Sequence, residues 1–197
     1  MADDGEPILS RKTRADAARN RALLLDTAKA AFAAKGSNAS LDEIARTAGV
    51  GAGTLYRHFP TRDALIEAVY LNETQQLAAA AEQLAASHPP VGALREWMRL
   101  FIDYIATKRV MAEALSSLVG GTSALYATST ALVTAALGML VDRAVASGEI
   151  RLELDPLDLL RAVAGVANTG AGPNPEQNAK QLVDILIAGL RAPTQTP

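Results

Sequence analysis

Between Leu41 and Arg62 the chain reads LDEIARTAGVGAGTLYRHFPTR, and the spacing of its caps and apolar residues leaves few arrangements open. Ser40 stands where an N-cap belongs and Glu43 follows three residues later, a capping-box pattern that starts a helix. Ile44 and Ala45 give that helix its apolar step. Gly49 supplies a left-handed backbone position, Val50 dips back toward a core, and a second short helix runs through Thr54, Leu55 and Tyr56 to Phe59 before Pro60 closes it. Ala45 permits two helices to cross closely, and a steep crossing presents the second one outward. Its non-core residues Thr54, Tyr56, Arg57 and His58 then face a surface that fits a DNA major groove about 12 Å wide.

Charge sorts along the chain in agreement with this. The first nine residues hold three acids and no base, residues 10–62 hold ten bases against four acids, and residues 63–197 hold nine bases against fourteen acids, although the net charge is only -2. A basic block beside an acidic remainder fits one part that meets a polyanion and another that does something else. The basic arm residues Arg11, Lys12 and Arg14 suit an adjacent minor groove or counterion release.

Other function classes fall away on composition. With no cysteine there is neither a disulfide nor a thiol nucleophile, and two distant histidines, His58 and His88, make no metal cage. No paired carboxylates, nucleophile with base, or phosphate loop can be placed together, so no enzyme, metal or cofactor is expected. The start, MADDGEPILSRK, lacks an apolar core, and no apolar run is read as approaching the roughly 18 residues of a membrane span. A cytoplasmic protein without membrane association is expected.

The pattern of periodic stretches and breaks predicts an all-α chain of about nine helices. A flexible basic arm is expected over 1–16, a helix-turn-helix domain over 17–62, a ligand-binding and dimerisation domain over 63–192, and a loose tail over 193–197. Helix one is expected over 17–35 with Gly36 as its stop. Thr61 caps a long fourth helix, SHPPVG at 87–92 breaks the chain, GGT at 120–122 breaks it again, Gly148 stops a helix begun near Ser123, and Asp155 and Pro156 open the next. A GAGPNP loop leads to a last helix from Pro175 to about Leu190. IRLEL, 150–154, alternates like a strand but reads as an extended connector.

In the second half Trp97, Phe101, Tyr104, Met111, Leu115, Tyr126 and Met139 are candidate linings of an apolar pocket, although the spacing of the first three also suits an ordinary core stripe. Leu182, Leu186 and Leu190 on the last helix, with Leu159, Leu160 and Val163 on the one before, suggest a four-helix interface between two copies.

The segment AGVGAGTLYRHFPTRDAL resembles the signature of the TetR family of one-component bacterial transcriptional regulators, over roughly Arg19 to Tyr70. The segment REWMRLFIDYIATKR with MAEALSSLVGG is similar to a C-terminal subtype found in actinobacterial members. The resemblance implies three N-terminal helices that read double-stranded DNA, and a C-terminal helical bundle that dimerises and binds an inducer. By position it implies phosphate contacts from Ser40, Thr54, Tyr56 and Arg62, and base-facing places for Arg46, Gly51, Ala52 and Arg57, with Gly53 and His58 beside them. Many members have serine and lysine where this chain has Gly51 and Ala52, which shifts specificity toward Arg46 and Arg57. The function implied is a repressor released from a palindromic operator by a small apolar or amphipathic inducer. An activator, an inducer-independent DNA-binding protein, and a helical small-molecule-binding domain or enzyme are the alternatives.

Overall fold

The computed structural model describes residues 8–169 and 174–191, and side chains from residue 14 onward except those of Val166, Asn168 and Thr169. Helix α1 covers Ile8–Lys35, and α2 (Leu41–Thr47) follows a 3-10 turn at Gly36–Asn38. Then come α3 (Ala52–His58), α4 (Arg62–Ser87), α5 (Pro90–Val110), α6 (Ala112–Ser116), α7 (Ser123–Ala146), α8 (Pro156–Thr169) and α9 (Pro175–Gly189). Among the described residues there are nine α-helices and no strand, as expected. Ile150 and Arg191 form a single antiparallel bridge, so the IRLEL connector meets the end of α9.

The caps work largely as the sequence anticipates. The Ser40 hydroxyl accepts from the Glu43 amide at 3.4 Å. The other half of the capping box is missing, because the Glu43 carboxylate pairs with Lys35 Nζ at 2.6 Å instead of reaching back. That ammonium holds the Glu43 carboxyl below the usual carboxylate range. Gly49 sits at φ 68°, and the Val50 amide reaches back to the Ala45 carbonyl at 2.9 Å. Thr61 accepts from the Ala64 amide at 3.1 Å, and Asp155 from the Leu157 amide at 2.7 Å.

Two expectations change. Residues 8–16 continue α1 rather than forming a flexible arm, so the helix is 28 residues long. The Arg11 and Lys12 side chains, residues 1–7, the loop at 170–173 and the tail at 193–197 lie outside the described residues. By length and composition alone α7 could also cross a membrane, contrary to the sequence reading. A third of its apolar window is buried, and Val133, Leu137, Leu140 and Val141 are among its buried residues.

The chain divides into two units, Met1–Tyr70 with Val110–Gly121, and Leu71–Arg109 with Thr122–Pro197. The expected boundary at residue 62 thus lies within the first unit, which also takes in α6. In that unit α1 packs on α2 and α3, and α6 packs on the 3-10 turn. Leu24, Phe32, Ile44, Leu55, Leu65 and Met111 are fully buried there.

In the second unit Trp97 is fully buried and donates its indole N–H to the Leu77 carbonyl at 2.8 Å. Charges join α5 to α9: Arg95 and Arg99 each approach Asp184 at 3.5 Å, and Lys180 meets Asp103 at 2.5 Å. Later residues on α5 pair with earlier ones on α9, so the two helices run antiparallel. This pairing fixes the rotation of α9, which turns Ala179, Val183 and Ile187 inward and leaves Leu182 and Ile185 at 43% and 66% exposure.

Candidate nucleic-acid interface

Leu55 and Phe59 anchor α3 by pointing into the core. At about 100° per residue, Gly53 and Arg57 then fall on the opposite side and Tyr56 on its flank, and all three are exposed, Tyr56 at 45%. Thr54 flanks this face half-buried, Gly51 and Ala52 are exposed at the helix start, and Ser40 and Arg46 are exposed on the approach to and along α2. The Ser40 hydroxyl, while capping α2, keeps a proton to donate. A Cβ added at Gly51 or Gly53 would meet nothing within 4 Å. The chain's own packing therefore does not demand glycine at either position.

His58 and Arg62 depart from the sequence expectation. Position 58 falls on the side of α3 adjoining Leu55, so His58 is half-buried, its Nε2 has no hydrogen-bond partner among the described residues, and its ring lies 6.1 Å from Phe59. The Arg62 guanidinium is directed at the chain's own backbone. It donates to the Ala39 carbonyl at 2.5 Å, to Ser37 at 2.6 Å and to Gly36 at 3.3 Å, and lies 5.3 Å above the Phe32 ring.

Two carboxylates, Glu113 and Asp63, make tertiary contacts in the same unit that sequence reasoning did not anticipate. Glu113 Oε1 accepts from the Ser37 hydroxyl at 2.6 Å and from its amide at 3.2 Å. These bonds, the hydroxyl first, hold the Glu113 carboxyl below its ordinary range. Asp63 Oδ2 accepts from the Val119 amide at 3.0 Å. The residues stand so far apart in sequence that no spacing signal could have joined them.

The seven candidate ligand residues do not gather into one site. Met111 and Leu115 are core of the first unit, while Trp97, Phe101 and Tyr104 form a stacked ladder along α5, with ring centroids 6.0 and 6.1 Å apart. Tyr126 is half-buried beneath Lys108 Nζ, 4.0 Å from its ring centroid, and burial lowers the Lys108 pKa. Met139 is half-buried on α7. The expected interface also divides. Leu159, Leu160 and Val163 are buried within a single chain. Val163, Leu182 and Leu186 line a cavity of about 60 Å³ between α8 and α9, and Leu190 is half-buried.

The geometry of the first unit has counterparts among known proteins. Residues 24–69 match the model of bacterial regulatory proteins of the tetR family, and residues 89–192 match the C-terminal domain of SbtR-like transcriptional regulators. A TetR transcriptional regulator from Streptomyces coelicolor has a solved structure that superposes with a TM-score of 0.79 at 45% identity, covering 88% of this chain and 99% of that one. One from Mycobacterium vanbaalenii gives 0.76 at 34% identity, covering 91% and 99%. The probable acrEF/envCD operon repressor of Escherichia coli K12 is 34% identical over 101 residues, which is 50% of this chain and 46% of that protein. The chain thus spans about half the length of that curated relative, while it covers the two solved structures nearly in full. On these matches and this helical architecture, the chain belongs to the TetR family of DNA-binding bacterial transcriptional regulators, a family of regulators rather than enzymes.

Proposed function

We propose that the chain is a ligand-responsive repressor that binds a palindromic operator as a homodimer in the cytoplasm. The outward face of α3 carries this reading: Tyr56 and Arg57 stand exposed beside Gly51 and Gly53, where the fold itself leaves open space. Backbone that can approach a groove closely, next to a guanidinium able to hold guanine O6 and N7, is what base readout requires. Arg46 and Arg57 discriminate bases, with a thymine methyl against Ala52, while Ser40, Thr54 and Tyr56 hold phosphates.

Dimerisation is supported by the outward Leu182 and Ile185 of α9, large apolar groups that a second copy would cover. Twofold pairing sets the recognition helices about 34 Å apart, or a multiple of that distance, on one face of DNA. Repression is supported by the Escherichia coli relative, described as an operon repressor, over the half of the chain that it matches.

The order of helices gives a small apolar or amphipathic ligand a route by which to act. Both α5 and α7 belong to the second unit, yet α6 between them belongs with α3 to the first. A ligand that binds one arrangement of α5 and α7 more tightly therefore has a covalent route to the DNA-reading unit. Titration of labelled operator with wild type and Arg57→Ala at fixed salt tests the core of this reading. Loss of about 1–3 kcal/mol of binding is expected for a bidentate base contact, and unchanged affinity would remove Arg57 from the interface.

A further inference from the structure

We infer that Arg62 and Glu113 are positioning residues for DNA binding, gripping opposite sides of the Gly36–Asn38 turn and so fixing the point from which Ser40, α2 and α3 depart. This rests on α3 being the element that enters the groove.

Where α1 ends, its last carbonyls lack helical partners. Beyond α1, three carbonyls of the turn and its exit, those of Gly36, Ser37 and Ala39, converge on the Arg62 guanidinium. A planar fork of N–H donors can serve several acceptors at set angles, which a single ammonium cannot do. Stacking over the fully buried Phe32 ties that fork to the core. On the other side the Ser37 amide and hydroxyl both reach the Glu113 carboxylate. The turn is therefore held by a cation at its carbonyls and an anion at its donors.

Gly36 shows how close this grip is. Its φ is +52°, and a Cβ there would overlap the Glu113 carboxylate. Ala39 immediately precedes Ser40, whose hydroxyl caps α2, so releasing the Ala39 carbonyl frees the N-terminus of α2 and with it the angle of α3. Asp63, next to Arg62, accepts from the Val119 amide, three residues past the end of α6. Arg62 thus serves operator affinity through the chain's own backbone rather than by neutralising a phosphate.

The two roles differ in their response to salt. Losing a phosphate contact lowers the slope of log K against log salt by about 0.9, whereas losing a positioning residue lowers affinity at constant slope. The experiment uses full-length protein and an operator selected by wild type from random duplex DNA. Kd is measured per active molecule across a salt series, with the active fraction from stoichiometric titration. The variants are Arg62→Lys, Arg62→Gln, Glu113→Gln and Glu113→Ala, with Arg57→Ala as control.

Arg62→Lys and Arg62→Gln should weaken binding by a similar factor of about ten or more, the loss expected for hydrogen bonds from a charged donor, with the wild-type slope retained. Glu113→Ala should weaken binding in the same direction, and combining it with Arg62→Gln should cost less than the product of the two single effects. Glu113→Gln, which keeps an acceptor, should fall between wild type and Glu113→Ala. Recovery of wild-type Kd by Arg62→Lys, a slope reduced by about 0.9 per half-site, or a loss of active fraction at unchanged Kd would each overturn the inference. If Arg57→Ala weakens binding while Arg62→Gln and Glu113→Ala do not, the inference fails and α3 stands as the reader. If Arg57→Ala also has no effect, both readings fail.

Discussion

Thr74 on α4 and Tyr104 on α5 place their hydroxyl oxygens 3.2 Å apart in the buried interior of the second unit, and Thr74 also donates to Ser129 on α7 at 3.3 Å. A polar contact shared by three helices inside an apolar bundle fixes their relative register, because misalignment would leave hydroxyls unsatisfied. Thr74→Val keeps the shape and removes the hydroxyl. Urea unfolding should show a loss of roughly 1–3 kcal/mol, and an unchanged midpoint would mean that the neighbours are satisfied without Thr74.

Gly53 permits a test in which stability and function move in opposite directions. A Cβ there meets nothing in the chain, and alanine in a helix is favoured over glycine by roughly 0.5–1 kcal/mol. Gly53→Ala should therefore raise the melting temperature slightly while weakening operator binding, as the added methyl enters space reserved for DNA. Equal or tighter binding would show that DNA does not approach the backbone at this position.

The helix-turn-helix geometry was legible in the sequence, for physical reasons. Gly49 was readable because a chain reversal after so short a helix needs a positive φ, and Ser40, Thr61 and Asp155 because polar caps satisfy helix-end amides at fixed offsets. The start of α1 was not readable, since residues 8–16 carry no apolar stripe to signal a helix. Trp97, Phe101 and Tyr104 have one spacing for core and pocket alike, and the bond from Trp97 to Leu77 is tertiary. The Arg62 and Glu113 contacts are likewise tertiary, so no local pattern could separate them from a phosphate ligand or a solvated helix face.

The proposed self-association uses the outward side of α9. Ile185→Glu puts a charge at a position 66% exposed in the single chain, where folding should tolerate it and a twofold apolar interface should not. Sedimentation at micromolar concentration should show a shift from dimer to monomer with the helical signal retained. A dimer that survives both this change and Leu182→Glu would place the interface elsewhere.

Acid should loosen the Glu113 contact. Its folded-state pKa lies below the ordinary 4.5 because Ser37 donates to the carboxylate. The stabilisation is therefore complete above the ordinary value and is lost as pH falls through the folded one. Between about pH 6 and about pH 3, the melting temperature of Glu113→Gln should fall less steeply than that of wild type. Parallel curves would show that the contact makes no pH-dependent contribution.

The central claim, that paired α3 helices read DNA sequence, is tested most directly by selecting duplexes bound by the full-length protein from a random pool and sequencing them. The account requires an inverted repeat whose half-site centres lie about one helical turn, or a multiple of it, apart, with enrichment lost in Arg57→Ala. A pool without an enriched sequence, or a single half-site without its inverted partner, would contradict it.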